Sequence, residues 1–313
     1  MMSPCCVKNI SCVLCALASL TFATWVYAAN ESDQDPKLLA PHVLANSSWS
    51  LRLPQDGKVV YKGLVSFDNA GQKSGQLLYP APNAVGFLAA ILTHGLVVES
   101  QKKNEKEQLQ LEADNVLVPY QVVLNEYTNK ALMQRGMHNI SMGGRKIIEF
   151  TEKSDTGWFI DSAPVFFITQ DQSAIILDNA VSISAPDAAT AAYQKIIRVV
   201  SEPQNVQDYV KLWTEQQGEE LKKESANLFA LSLEIAMKEM ANLASSDDVS
   251  QRTFRYLEGK VEKIERGYLV SENCNRMVIK TLRGQFISVP VRRDIDSNPS
   301  IAEQCNDTLK SAM

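Results

Sequence analysis

From residue 49 onward the spacing of apolar side chains switches repeatedly between a period of two and a period of about 3.6. Trp49-Ser50-Leu51-Arg52-Leu53 alternates apolar and polar, as a strand with one buried face does. Residues 58–67, rich in Val, Tyr and Phe, predict a second strand, with turn residues in Asp68-Asn69-Ala70-Gly71 and a short strand over 76–79. Pro80-Ala81-Pro82 then breaks the pattern. Asn83 is placed to cap a helix that starts at Ala84 and runs through Val98, its second half turning abruptly polar over 99–110. A second helix over about 114–133 follows from Val116, Tyr120, Val123, Tyr127 and Ala131, which step by four, three, four and four. Two such helices joined by a short break predict an αα-hairpin.

Residues 141–200 predict an antiparallel meander. Strands are expected over 145–150, 164–169 and 173–184, with Gln170-Asp171-Gln172 as a turn. Residues 190–200 mix a helix-favouring start with Ile196, Ile197, Val199 and Val200, and are read as strand. Pro203 precedes the longest helical stretch, 206–243. There Ala226, Phe229, Leu233, Ala236, Met240 and Leu243 form one apolar row and Leu228, Leu231 and Ile235 a second. So wide a stripe predicts deep burial, with a kink at Gly218 and an end at Ser245-Ser246-Asp247-Asp248. From Thr253 to Pro290 the pattern is β again. Arg266-Gly267 and Arg283-Gly284 are expected as hairpin turns among strands at 261–265, 268–271, 277–282 and 286–289. The fold class expected is α+β, with antiparallel β-meanders, a helical hairpin and one long buried helix. The organisation read from the chain is a signal peptide over 1–29, a leader over 30–48 with Pro36 and Pro41, a β-hairpin and αα-hairpin region over 49–140, and a β-meander, long helix and C-terminal β-meander over 141–313.

The first 29 residues bear on compartment. Lys8 is followed by an uncharged apolar or small run over 10–27, then Val26-Tyr27-Ala28, then the abruptly polar Asn30-Glu31-Ser32-Asp33. This is the layout of a cleaved export signal, with cleavage expected after Ala28 or Ala29. Four of six cysteines, Cys5, Cys6, Cys12 and Cys15, fall inside it. Cys274 and Cys305 remain, and an even pair in an oxidising compartment suggests one disulfide. Closing that loop of roughly thirty residues would contribute about 3–4 kcal/mol by constraining the unfolded chain.

Composition is that of an ordinary globular protein, 45% hydrophobic and 21% charged. A net charge of −5 without a long basic run argues against nucleic acid as partner. His42, His94 and His138 stand at no metal-ligand spacing. Ser100-Gln101-Lys102-Lys103 has the Ser-x-x-Lys form of penicillin-binding enzymes, and Ser271-Glu272-Asn273 and Lys280-Thr281-Leu282 imitate the companion elements. The last of these lacks its glycine, and Ser100 falls within a helix rather than at its start, where backbone donors would stabilise an oxyanion. Asp294, Asp296 and Asn298 begin like a calcium loop, but Pro299 replaces the needed glycine and Cys305 the bidentate carboxylate. No catalytic, cofactor-binding or metal residue is assigned. Residues 85–98 are fourteen positions without charge. They read as a buried helix, with a membrane or partner contact as the alternative.

Several stretches together resemble uncharacterised exported proteins of Gram-negative bacteria. They are the apolar segment 84–95, the charged helix ending Ala113-Asp114-Asn115-Val116-Leu117-Val118-Pro119-Tyr120, Ser201-Glu202-Pro203 ahead of Trp213, and the block 256–290 with Leu282-Arg283-Gly284. The resemblance implies a periplasmic or outer-membrane-associated setting and transfers no functional residue. The function expected is therefore non-catalytic binding or assembly in the periplasm, with an envelope protein or a membrane surface as partner. Two alternatives stand beside it: an envelope hydrolase built on Ser100, Lys103 and His94, and peripheral membrane docking through 85–98.

Overall fold

Strand β4 (Trp158–Ile168) organises the molecule. Both of its faces are buried along most of its length, which explains why its sequence lacks clean alternation. In this computed structural model the described residues are 48–52, 57–65, 108–140, 144–148, 157–185, 191–241 and 250–291. On one edge β4 receives two short strands in tandem, both parallel to it. β1 (Ser48–Arg52) sets Trp49 opposite Trp158, and β2 (Val60–Gly63) sets Val60 opposite Val165. β3 (Gly144–Ile148) lies outside β1, also parallel. On the other edge β5 (Ile175–Ser184) and β6 (Tyr193–Val200) continue the sheet antiparallel. β7 (Gln251–Glu258), β8 (Val261–Glu272), β9 (Arg276–Thr281) and β10 (Phe286–Pro290) form a second antiparallel meander. The two meanders join where β10 runs parallel to β6. The result is one sheet in the order β3-β1-β4-β5-β6-β10-β9-β8-β7, with β2 beside β4.

The fold is α+β. The antiparallel meanders β4-β5-β6 and β7-β8-β9-β10 follow the expectation, but the strand expected at 145–150 as part of the first is not in it: β3 pairs parallel with β1 at the sheet edge, and the parallel pairings leave no mark in the sequence. Because β1 pairs with both β3 and β4, the described parts of 49–140 and 141–313 share this sheet.

Around Pro119 the helical register tightens. Residues 108–114 are helical, Asn115–Tyr120 is a 3-10 turn containing Pro119, and α1 (Gln121–Glu126) follows. Tyr127 is extended, at ψ 113°, and ends it. α2 (Asn129–His138) then starts with the Thr128 hydroxyl accepting the Ala131 amide. The single helix expected over 114–133 is thus interrupted twice. At the second break the backbone turns to the sheet side, where the Val59 amide donates to the Tyr127 carbonyl at 3.0 Å. The apolar row was nonetheless read correctly, since Val116, Tyr120, Val123 and Tyr127 are all buried. The other arm of the expected hairpin, 84–98, lies outside the described residues, as do the strand expected at 76–79 and the helix end at 245–248.

α3 (Tyr209–Ala241) packs on β5 and β6 through Phe229, Leu233, Ala236 and Met240. Its expected kink is sharp: Gln216, Gln217 and Gly218 all adopt positive φ. A Cβ at Gly218 would stand 2.2 Å from a methyl carbon of Val123, so the break lies where α3 packs against α1.

Alternate side chains of the sheet serve two cores. Ile175, Leu177, Val181 and Ile183 join the helices in the larger one. On the opposite face Ile176 and Val200 meet Phe254, Tyr256, Met277, Ile279, Ile287 and Val289. The sheet therefore curls, bringing β7 across β5 and β6. There Arg198 of β6 makes two 2.7 Å bonds to Asp178 and one of 3.2 Å to Glu258 of β7. The β8 strand corrects one expectation: it is continuous through Arg266-Gly267. Gly267 is needed for close approach, since a Cβ there would lie 2.4 Å from the Lys280 carbonyl oxygen. The turn is instead at Gly259, with φ +64°, and Gly284 makes the other hairpin turn as expected.

Candidate functional site

The Gln170-Asp171-Gln172 turn does more than connect β4 to β5. Asp171 sits in a loop whose next residue, Gln172, has φ +61°, a strained value for a side chain other than glycine or asparagine. Its carboxylate accepts the Thr169 hydroxyl at 2.5 Å, the Ser173 amide at 3.1 Å and the Ser173 hydroxyl at 2.9 Å. It also accepts the Lys260 amide, at 2.6 Å, from the β7–β8 turn. Burial pushes the Asp171 carboxyl up, but these donated hydrogen bonds prevail and hold it below its ordinary value.

Five other hydrogen bonds tie the same loop to its surroundings. Gln170 donates to the carbonyls of Leu64 and Ala113. The Tyr120 hydroxyl donates to the Gln172 side chain at 2.5 Å, and the Trp213 indole donates to the Gln172 carbonyl at 2.8 Å. The Gln204 amide donates to the Ser173 carbonyl. Tyr120 is fully buried, and burial, with Asp208 adding to it, pushes its hydroxyl up to about 12. It is a permanent donor at neutral pH.

Ten large apolar side chains are exposed among the described residues. Seven of them lie within four residues of a group bonded to this loop. Leu109 and Leu111 precede Ala113, Val118 and Val122 flank Tyr120, Val206 follows Gln204, Val210 precedes Trp213, and Val261 follows Lys260. Leu111, Val118 and Val122 are 68%, 64% and 75% exposed, although the residues beside them are core. Lys260 adds a cation over the Tyr209 ring, 5.5 Å from its centre. The described part of this region thus presents aliphatic side chains on elements held to one hydrogen-bonded loop.

The residues singled out from the sequence fall elsewhere. His138 is exposed at the end of α2. Ser271 is exposed on β8. Asn273 caps the β8–β9 turn by accepting the Asn275 and Arg276 amides. Lys280 lies over the Phe286 ring, and Thr281 accepts the Gln285 amide. These groups serve the sheet. Cys274 lies in the β8–β9 connection. Cys305, His42, His94, Ser100, Lys103, Asp294, Asp296, Asn298 and the segment 85–98 lie outside the described residues. Among the described residues no group of three His, Cys, Asp or Glu side chains is placed to hold a metal, and no helix is long and apolar enough to cross a membrane.

Sequence reasoning identified the Gln170–Gln172 turn but not its role as a hub. The available signal was the position of Val118 and Val122, apolar residues outside the buried row of the helical segment. No protein-family model matches the chain, and no curated protein matches it.

Proposed function

We propose that this protein is a non-catalytic binding or assembly protein of the cell envelope, and that its partner docks on the surface around residues 169–174. The observation that carries this is the concentration of exposed aliphatic side chains on elements anchored to one loop. Burying a Val or Leu side chain of this kind stabilises a contact by roughly 1.5–3 kcal/mol, and apolar clusters left in water mark interaction sites. The export signal over 1–29 and the resemblance to exported Gram-negative proteins support the compartment. The hydrolase alternative rests on Ser100, Lys103 and His94, none of them among the described residues, so no specific observation favours it.

The same reading includes a Cys274–Cys305 disulfide. The Val291 amide donates to the Asn275 carbonyl at 3.0 Å, so the chain leaves β10 beside Cys274. Non-reducing peptide mapping of the exported protein is expected to recover these two cysteines linked; two free thiols would contradict the pairing.

A photo-reactive amino acid placed in living cells tests the surface. Introduced at Val118 or Val210, it is expected to yield adducts with envelope components. At Ala192, about 30 Å away along β5, it is expected to yield none. Equal labelling from all three positions, or none from any, would reject the assignment.

A further inference from the structure

Among the described residues, the positions other than glycine with left-handed backbone are Gln172, Gln216 and Gln217, at φ +61°, +52° and +59°. All three belong to one connected region. The Trp213 indole donates to the Gln172 carbonyl at 2.8 Å, and Gln216 and Gln217 follow Trp213 closely in α3. Left-handed backbone is unfavourable for such residues, and strain of this kind collects at clamps and switches.

The break in α3 opposes the preference of its own sequence. Residues 215–217 and 219–223 are Glu, Gln, Leu and Lys, all good helix formers, and Gly218 between them is a poor one. Glu215 is nonetheless extended, at ψ 146°, and the next three residues turn left-handed. The Gln216 and Gln217 side chains are exposed, so their own burial does not hold the turn. Contacts on either side hold it. Trp213 is fully buried and bonded to Gln172, the Tyr209 hydroxyl donates to the Gln204 carbonyl at 3.2 Å, and Gly218 seats against Val123. Local preference for one continuous helix is thus set against anchorage of 209–214 to the loop. Such opposition makes a two-state element.

From this conflict we infer that residues 209–214 form a latch that gates docking around 169–174. The structure holds the closed state, with Trp213 on Gln172 and Val210 exposed beside it. In the open state α3 is continuous from Tyr209, Trp213 leaves Gln172, and Val210 is carried away from the loop. A partner that docks at the loop selects the closed state. The gating rests on the proposed docking reading; the latch itself does not.

Fluorine NMR of the full chain carrying 5-fluorotryptophan tests the latch, with Trp213→Phe to assign the Trp213 signal. Saturation transfer is expected to link that signal to a second one at a solvent-exposed shift. Trp49 and Trp158, buried in β1 and β4, are expected to show no such exchange, which separates opening from unfolding. Gln216→Gly/Gln217→Gly relieves the left-handed strain and weakens the straight helix, so the open population is expected to fall by about tenfold or more. Gln216→Ala/Gln217→Ala keeps the strain and favours the helix, so it is expected to rise about threefold. A Trp213 signal without an exchange partner in all three forms, or exchange of Trp49 and Trp158 in step with it, would overturn the latch. Detergent-solubilised cell envelope is then expected to suppress transfer to the open signal. Adducts from the photo-reactive residue at Val118 together with undiminished transfer would overturn the gating alone. Absence of both adducts and suppression would reject the docking reading and the gating with it, while the fluorine signals of the isolated protein still decide the latch.

Discussion

Asp171 is a small side chain with a large structural share, because one carboxylate closes its own turn and captures the Lys260 amide of a distant hairpin. Replacing it by Ala is expected to cost about 2–3 kcal/mol, since buried donors lose their acceptor; urea unfolding measures this directly. The pH dependence follows from the direction of the shift. The folded carboxyl lies below its ordinary value, so its contribution is present above the unfolded value near about 4 and is lost as pH falls through the folded one. The gap in stability between wild type and Asp171→Ala should therefore narrow as pH is lowered from about 7 to about 3. Gly218 is constrained differently, by φ +75° and by the Val123 methyl. Gly218→Ala is expected to destabilise by about 3 kcal/mol, combining left-handed strain with overpacking, and a drop in the thermal midpoint would show it. The kink at Gly218 was legible in the sequence because glycine inside a helical pattern is a recognised break. The positive φ of Gln216 and Gln217 was not, because tertiary contact, not residue type, imposes it.

At the level of elements, β1, β5, β6 and β10 were found by their alternation or their branched content, β5 although both of its faces are buried. The first half of β4 was missed because Trp158 to Ala163 is buried on both sides, leaving no period to read. The two-strand reading of 261–271 failed because Gly267 looks like a turn residue, although it serves close strand approach. The curl of the sheet, which no local pattern encodes, is held by Arg198. Removing that side chain leaves Asp178 and the nearly fully buried Glu258 without their cation. Arg198→Ala is thus expected to cost about 3–5 kcal/mol. The Arg135–Glu219 pair between α2 and α3 is also bidentate but exposed on both sides, so Arg135→Ala is expected to cost under about 1 kcal/mol. Similar losses for the two variants in denaturant titrations would contradict the assignment of Arg198 as the lock.

Across the whole molecule, the division of labour is between a sheet that builds two cores and a set of turns that meets at one end of it. The α+β class was legible because strand-like and helix-like periods occur in separate blocks. The proposed docking surface was not, because its members come from four separated parts of the sequence, 109–122, 169–174, 204–213 and 259–261, whose hydrogen bonds meet at the Asp171–Gln172 loop.

Amide hydrogen exchange, compared between the purified protein and the protein within isolated cell envelopes, tests the central claim most directly. Slower exchange in the envelope at 115–122, 204–210 and 259–261, with 191–195 unchanged, is the predicted result. Exchange that is identical in the two settings, or protection centred on 191–195, would contradict the account.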